Sequence, residues 1–335
     1  MSSINLLDTT NVQRTPFSSR ASTVSEIQTT PGIFTFNLTW DDLNDSTLKP
    51  KISSPMSSFY LVRNPRYTNQ GKFLKLSDFL AIGKDKGLSG VMIIIENAAF
   101  MAKSLGIDIV GSVTTALIDA GYDNQTTKEV MIQSKDSNVL VKLKQQRTKC
   151  KLVYTLPSDI GDASASSLVD MKKFADAVVV DKTSVFPTSK NFILRQTSLV
   201  KDLQAAGLAV YAQVFQNEFV SQPWDFFGDE TVEINNYVQL VNISGIITDF
   251  PRTVRRYKKK LLYRFRKGHA QLHAVCSGWL PCTVTPEHYC PAASSGANAD
   301  TGCIRRDGAT ASSCCVKKYV WWCLRGRPNS WRATF

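Results

Sequence analysis

The first 268 of the chain's 335 residues contain no histidine, and the first 250 contain one cysteine, Cys150. Histidine is the side chain whose ordinary pKa lies nearest neutrality, so proton shuttles and metal sites built on imidazole are excluded from this stretch. No run of eighteen apolar residues occurs, which leaves no candidate transmembrane helix. The opening residues, Met1 to Asp8, have neither a basic start nor an apolar stretch and do not read as a signal peptide. No Gly-rich phosphate fingerprint opens a nucleotide-binding unit. A lone cysteine in so long a body is expected to be a small buried hydrophobe.

What the body lacks, the end of the chain has in excess. All three histidines and seven of the eight cysteines lie between His269 and Cys323. Charge divides at nearly the same place. Residues 1–250 carry 24 Lys and Arg against 25 Asp and Glu, a net of −1, whereas residues 251–335 carry 16 against 3, a net of +13. The overall +12 therefore belongs to a tail and not to a basic domain surface. Arg252 to Lys267 interleaves bases with aromatics and is expected to be a solvated segment with no specific nucleic acid. Unselective binding of RNA, DNA or an anionic membrane is the alternative. The spacing of His269, His273, Cys276, Cys282, His288 and Cys290 departs from the paired patterns of common zinc modules, and a disulfide-bonded tail stays open beside it.

In the body, short apolar and β-branched runs recur at Val91–Glu96, Glu129–Ser134, Lys151–Leu156, Ala177–Asp181, Ala209–Phe215 and Gly245–Phe250. Such runs suit strands covered on both faces. Helical periodicity fills the gaps. Phe100 to Ala120 places Leu105, Ile109, Val113 and Leu117 at fours before Gly121, and Asn191 to Ala206 repeats the pattern before Gly207. Shorter amphipathic pieces fall near 137–147, 166–175 and 230–240. Strand starts lie 38, 22, 26, 32 and 36 residues apart, close to the roughly 31 per unit of a (β/α)₈ barrel. A doubly wound sheet is the alternative. Six strands are counted, two short of a barrel. Before residue 90 the chain is less regular: residues 9–32 read as loop, Phe34 to Trp40 as a short strand, and Leu74 to Ala81 as a helix start with Ser77 at the N-cap.

Gly245-Ile-Ile-Thr-Asp-Phe-Pro251 resembles the last barrel strand of glycerophosphodiester phosphodiesterases, whose pattern there is close to D-G-I-I-T-D-x-P. Leu74 to Leu80, Ile94-Ile-Glu96 and Glu129 to Ser134 resemble three further motifs of that family. Phe34 to Trp40, Phe174 to Pro187 and Tyr211 to Phe227 are similar to its plant branch, which carries two tandem barrels on secreted, lipid-anchored chains. The resemblance covers about residues 1–257. It implies metal-dependent hydrolysis of glycerophosphodiesters to glycerol 3-phosphate and an alcohol, with Ca²⁺ or Mg²⁺ held by carboxylates and two histidines as acid and base.

Against that pattern the chain is incomplete. The family's first histidine and its E-x-D metal pair come from barrel strands one and two, for which no counterpart is found. The second histidine's H-D motif falls on Ser2-Ser3, with Thr9-Thr10 matching the following pair. Of the metal ligands only Glu96 finds a position, and the lysine expected two residues later is Ala98. No catalytic residue is therefore assigned, and Asp249 is expected to cap a strand end. Sequons at Asn37, Asn44, Asn124 and Asn242 are candidate glycosylation sites that suit the family's secreted habit. Reading permitted codons one base later converts residues 268–279 and 307–316 into strings like the plant branch's tail, so residues from about 261 onward are expected to be out of frame.

The expected organisation is an irregular region over 1–90, barrel strands three to eight over 91–257, and a basic Cys-rich tail over 258–335. The fold class is α/β, an incomplete (β/α)₈ barrel lacking the first two strands, with self-association through its open edges. The implied partner is a glycerophosphodiester, and the cation is expected not to be retained. The rival reading is a non-catalytic cell-surface or cell-wall binding protein, or a truncated product.

Overall fold

The structure, a computed structural model, describes residues 5–259 apart from 51–58, 62, 64–70, 86–87, 124–127, 147–148 and 159–164. Ser2-Ser3, Asn124 and the His- and Cys-rich tail from residue 260 lie outside the described residues. The described residues up to Val254 belong to one compact unit.

The chain enters through α1 (Leu6–Thr9), an antiparallel pair β1 (Ser22–Val24) and β2 (Gln28–Gly32), and α2 (Trp40–Leu43). Residues 9–32 are thus not plain loop. Phe34 to Trp40 is not a strand either: it makes one bridge, from Phe34 to Asn5, and then a 3₁₀ turn over Thr35–Asn37. The local reason lies at Thr39. Its hydroxyl accepts from Asp42 N while the Asp42 carboxylate accepts from Thr39 N, a capping box that turns the chain into α2. Leu6, Val12, Ile33, Leu38 and Leu48 give this region a small core of its own.

Next comes α3 (Leu76–Asp85), which places Ser77 inside the first turn, not at the N-cap. Then β3 (Gly90–Ile95), α4 (Ala98–Leu105), α5 (Ile109–Asp119), β4 (Glu129–Ser134), α6 (Ser137–Gln145), β5 (Lys151–Thr155), α7 (Ala165–Lys172) and β6 (Ala177–Asp181) follow in turn. After α8 (Lys182–Val185) and a small hairpin, β7 (Thr188–Ser189) and β8 (Phe192–Ile193), come α9 (Leu199–Ala205), β9 (Ala209–Phe215), α10 (Glu230–Asn235) and β10 (Gly245–Thr248). A helical run over 251–259 ends the description.

All six expected strands form, within two residues at each end. Two expected helices do not form as single rods. The 100–120 span breaks at Gly106, which takes a left-handed φ of +69°, and α4 and α5 meet at 111°. Ile107 N bonds back to Met101 O at 2.9 Å, and Asp108 then caps α5 by accepting from Gly111 N at 3.0 Å. The 191–206 span begins instead as a hairpin whose turn residues, Lys190 and Asn191, have φ of +47° and +65°. Two consecutive positive-φ residues match the twist of a tight hairpin, and helix starts only at Leu199.

Strand order decides between the two α/β alternatives. The sheet runs β10-β9-β6-β5-β4-β3, every neighbouring pair parallel. Sequence order is never reversed, so right-handed crossovers put each helix on the same face. A doubly wound sheet would reverse at a switch point. Side-chain packing agrees. Val91, Ile93, Ile95, Val130, Ile132 and Leu152 pack against α3, α5 and α6 on the outer face. Met131, Val153, Ala177, Val179 and Tyr211 form a second cluster of strand residues on the inner face. This is a curled half-barrel sheet. No described helix is long and apolar enough by itself to cross a bilayer.

Candidate functional site: the strand-end mouth

Inner-face residues recur every second position, so the series can be followed to the C-terminal end of each strand. On β3, Met92 leads to Ile94 and Glu96; on β4, Met131 leads to Gln133; on β5, Val153 leads to Thr155. On β6, Ala177 and Val179 lead to Asp181; on β9, Ala209 and Tyr211 lead to Gln213. Each of these five strands thus changes from apolar to polar toward its C-terminal end, at a height that differs from strand to strand. Barrel enzymes place their chemistry at this end, because the βα connections converge there.

Neighbouring strands are linked within this layer. Gln133 Nε2 donates to Thr155 Oγ1 at 2.8 Å, and both side chains are buried. Gln213 Nε2 donates to Asp181 Oδ1 at 3.1 Å, and Ser158 Oγ donates to Asp181 Oδ2 at 2.7 Å. Gln133 Oε1 is buried without a hydrogen-bond partner among the described residues. Sequence reasoning passed over Gln133, Thr155, Asp181 and Gln213. Their signal was available as the first polar residue in each strand's inner parity.

Glu96, the one expected metal ligand, follows Ile95 at the end of β3 and is partly exposed. Among the described residues it makes no ion pair, and no three of His, Cys, Asp and Glu gather as a metal site would require. The other carboxylates here are engaged: Asp181 by Ser158 and Gln213, and Asp249 by Arg63. The described residues therefore do not fit a resident divalent cation, which takes six or more oxygens, several of them carboxylate.

Asp249 differs from its expected role as a strand cap. The turn is capped instead by Thr248, whose Oγ1 accepts from Phe250 N at 2.9 Å. Asp249 Oδ2 accepts from Arg63 Nη2 at 3.0 Å, and Arg63 Nε also donates to Glu218 Oε1 at 2.8 Å. The guanidinium lies 5.0 Å from the Phe250 ring centroid. Arg63 thus ties the segment before α3 to the ends of β9 and β10. Lys182 Nζ donates to Glu233 Oε1 at 2.6 Å and to Ser221 O at 3.1 Å. Glu233 is fully buried; burial raises its pKa above the ordinary carboxylate value, against the opposing pull of Lys182.

The three described sequons differ. Asn37 Nδ2 donates to Ser22 Oγ at 2.9 Å and to Arg20 O at 3.2 Å. Asn242 has φ of +61° and precedes Ile243, which is buried. Asn44 is exposed at the end of α2. Cys150 is half-buried against the outer core, and burial pushes its thiol up to about 11, which keeps it protonated and unreactive.

A parallel sheet whose strand order is never reversed, curled into a half-barrel, is an α/β fold of the (β/α)-barrel type. The chain belongs to the glycerophosphoryl diester phosphodiesterase family, whose model matches residues 1–253. It is similar to three proteins of Arabidopsis thaliana. It is 44% identical to glycerophosphodiester phosphodiesterase GDPDL3 over 87% of this chain and 38% of the relative. It is 47% identical to GDPDL1 over 77% of this chain and 34% of the relative. It is 45% identical to Protein SUPPRESSOR OF NPR1-1 CONSTITUTIVE 4 over 77% of this chain and 23% of the relative. The chain thus spans between 23% and 38% of the length of these three relatives.

Proposed function

We propose that this polypeptide is a glycerophosphodiester phosphodiesterase-family barrel, keeping strands three to eight, whose mouth binds but does not hydrolyse. The observation that carries the reading is the composition of the inner layer. From β3 to β9 it presents Glu96, Gln133, Thr155, Asp181 and Gln213, a set of amides, hydroxyls and carboxylates. Hydrolysis of a phosphodiester needs a group that gives and takes a proton near neutral pH and a counter-charge for the phosphate. Residues 1–268 supply no imidazole, and the mouth's cations are committed: Arg63 to Glu218 and Asp249, Lys182 to Glu233. In the family's reaction Glu96 would be one ligand of Ca²⁺ or Mg²⁺. A single unsupported carboxylate holds such an ion weakly.

The test is release of glycerol 3-phosphate from glycerophosphocholine by the purified chain with Ca²⁺ or Mg²⁺. The expected rate equals the metal-only blank. Turnover above it, abolished by Glu96→Ala, would remove this reading.

A further inference from the structure

The basic run that begins at Arg252 has no part in the reading above, and the structure shows what its start is joined to. Asn217 Nδ2 donates to Thr253 Oγ1 at 2.9 Å, which ties the first turn of the final helical run to the segment that follows β9. From 251 to 259 that run carries Arg252, Arg255, Arg256, Lys258 and Lys259, five cations and no acid.

The segment it is tied to is apolar at its surface. Phe219 is exposed two residues beyond Asn217, Trp224 is 58% exposed and Phe227 87%. Phe219 and Phe227 are neighbours, since a Cβ at Gly228 would lie 3.4 Å from Phe219 Cβ. The hairpin after β6 joins them. Its Phe192 stands edge to face with Trp224, ring centroids 5.1 Å apart, and its Leu194 is 65% exposed. Trp224 N donates to Asn191 O at 2.9 Å, and Ile193 N to the Asp225 carboxylate at 2.8 Å, so the two connections form one surface. Scattered exposed apolar residues are ordinary, whereas a contiguous set marks an interaction site. These are held by backbone hydrogen bonds, so docking orders little that is not already ordered.

Another protein, single-stranded nucleic acid and a bilayer interface all accept exposed rings, and the flanking chemistry chooses among them. Nucleic acid stacks its bases on open ring faces along a basic groove. Here Phe192 and Trp224 cover one another, and Leu194 offers no ring. Lys190 and Arg195, on either side of the hairpin's apolar residues, have no ion-pair partner among the described residues. The nearby acids are engaged within the chain: Asp225 by Ile193 N, Asp229 by Thr231 N at 2.6 Å, and Glu218 by Arg63. Cations beside protruding aromatic and aliphatic side chains match a partner that is anionic at its face and apolar beneath. A bilayer with acidic headgroups has that profile.

We propose that these two connections and the start of the basic run dock the chain on an anionic lipid surface. Trp224, Phe227, Phe192 and Leu194 enter the boundary between headgroups and acyl chains, while Lys190, Arg195 and Arg252 stay at the phosphates. The inner polar layer takes no part, so the inference goes beyond the function proposed above and does not depend on it.

The test is co-sedimentation of the full chain, purified from bacteria and so free of attached lipid, with sucrose-loaded vesicles. One set is phosphatidylcholine alone and the other is phosphatidylcholine mixed with phosphatidylserine. Saturable binding is expected to the mixed vesicles, and weaker binding to phosphatidylcholine. Trp224→Ser and Phe227→Gly are each expected to weaken binding about tenfold, the worth of one ring withdrawn from water. Both side chains stand in solvent, and glycine suits the φ of +58° at Phe227, so the variants are expected to fold, as circular dichroism verifies. Attachment by charge alone would vanish in high salt and ignore the rings; the expected result is residual binding in high salt that the ring variants lose. The proposal is overturned if neither vesicle binds, or if the ring variants bind like the parent, including the case where they change only the oligomer size. It is also overturned if polyuridylate binds and loses as much affinity in the ring variants as the vesicles do, which would make nucleic acid the partner. Vesicle binding and glycerol 3-phosphate release are separate measurements, so the failure of one reading leaves the other standing.

Discussion

At the scale of single residues, the Lys182–Glu233 pair is the most consequential contact in the mouth. The Glu233 side chain is 1% exposed and that of Lys182 13%, so neither charge is screened by water and each depends on the other. Glu233 Oε2 is also buried without a hydrogen-bond partner among the described residues. Replacing Lys182 with Met strands a buried carboxylate and is expected to cost about 3 kcal/mol in chemical denaturation at pH 7. The pH dependence has a defined sign. An acid whose folded pKa is raised above its ordinary 4.5 holds its proton more tightly folded than unfolded. It therefore subtracts stability as pH rises from 4.5 through the raised value, and the loss is recovered on acidification. In Lys182→Met that interval widens, so the variant's deficit should shrink toward pH 4.5; a deficit constant with pH would mean that Glu233 is not the cause. None of this was visible in the sequence. Lys182 and Glu233 stand 51 positions apart, and nothing in either local pattern announces a partner.

At the scale of elements, the instructive case is the corner between α4 and α5. Apolar spacing at fours ran unbroken from Phe100 to Ala120, yet one glycine and one aspartate split it. A Cβ at Gly106 would meet nothing within 4 Å, so its cost is purely that of the left-handed backbone. Gly106→Ala is expected to lower stability by about 1 kcal/mol without changing the fold, measured by thermal or urea unfolding. A neutral result would show that the corner relaxes to a conformation with negative φ. The outer core is less forgiving. Leu140 on α6 is fully buried against the sheet, and Leu140→Ala should cost about 2–5 kcal/mol. Strands were easier to read than helices here, for a physical reason. A strand buried on both faces must be apolar throughout, whereas a helix's periodicity survives a break whose two halves still face the same sheet.

At the scale of the molecule, β3 and β10 each have one strand partner among the described residues. Inner-face Met92, Ile94 and Ile247 on those strands are only partly buried. Unpaired edges present free N–H and C=O groups in register for another strand. The full chain is therefore expected to self-associate with rising concentration in light scattering after size exclusion, the oligomer dissociating in low urea before the helices melt. A monomer with one sharp, cooperative melt would contradict that expectation. The out-of-frame expectation for the tail is tested separately, by sequencing the transcript across the codons for Lys258 to Gly268. An uninterrupted frame there would remove it.

The sequence by itself determined six strands, their order along the chain and the family. Each of these is written in local chemistry: runs of Val and Ile, turn glycines and short linear motifs. Only the tertiary structure decided that the strands lie side by side in that same order, which makes one inner face and one strand-end layer. It also decided the partners of Arg63, Lys182, Asp181 and Asp249. Those pairings depend on which residues the curl of the sheet brings within hydrogen-bonding distance of one another, and that proximity is a property of the whole fold rather than of any stretch of it.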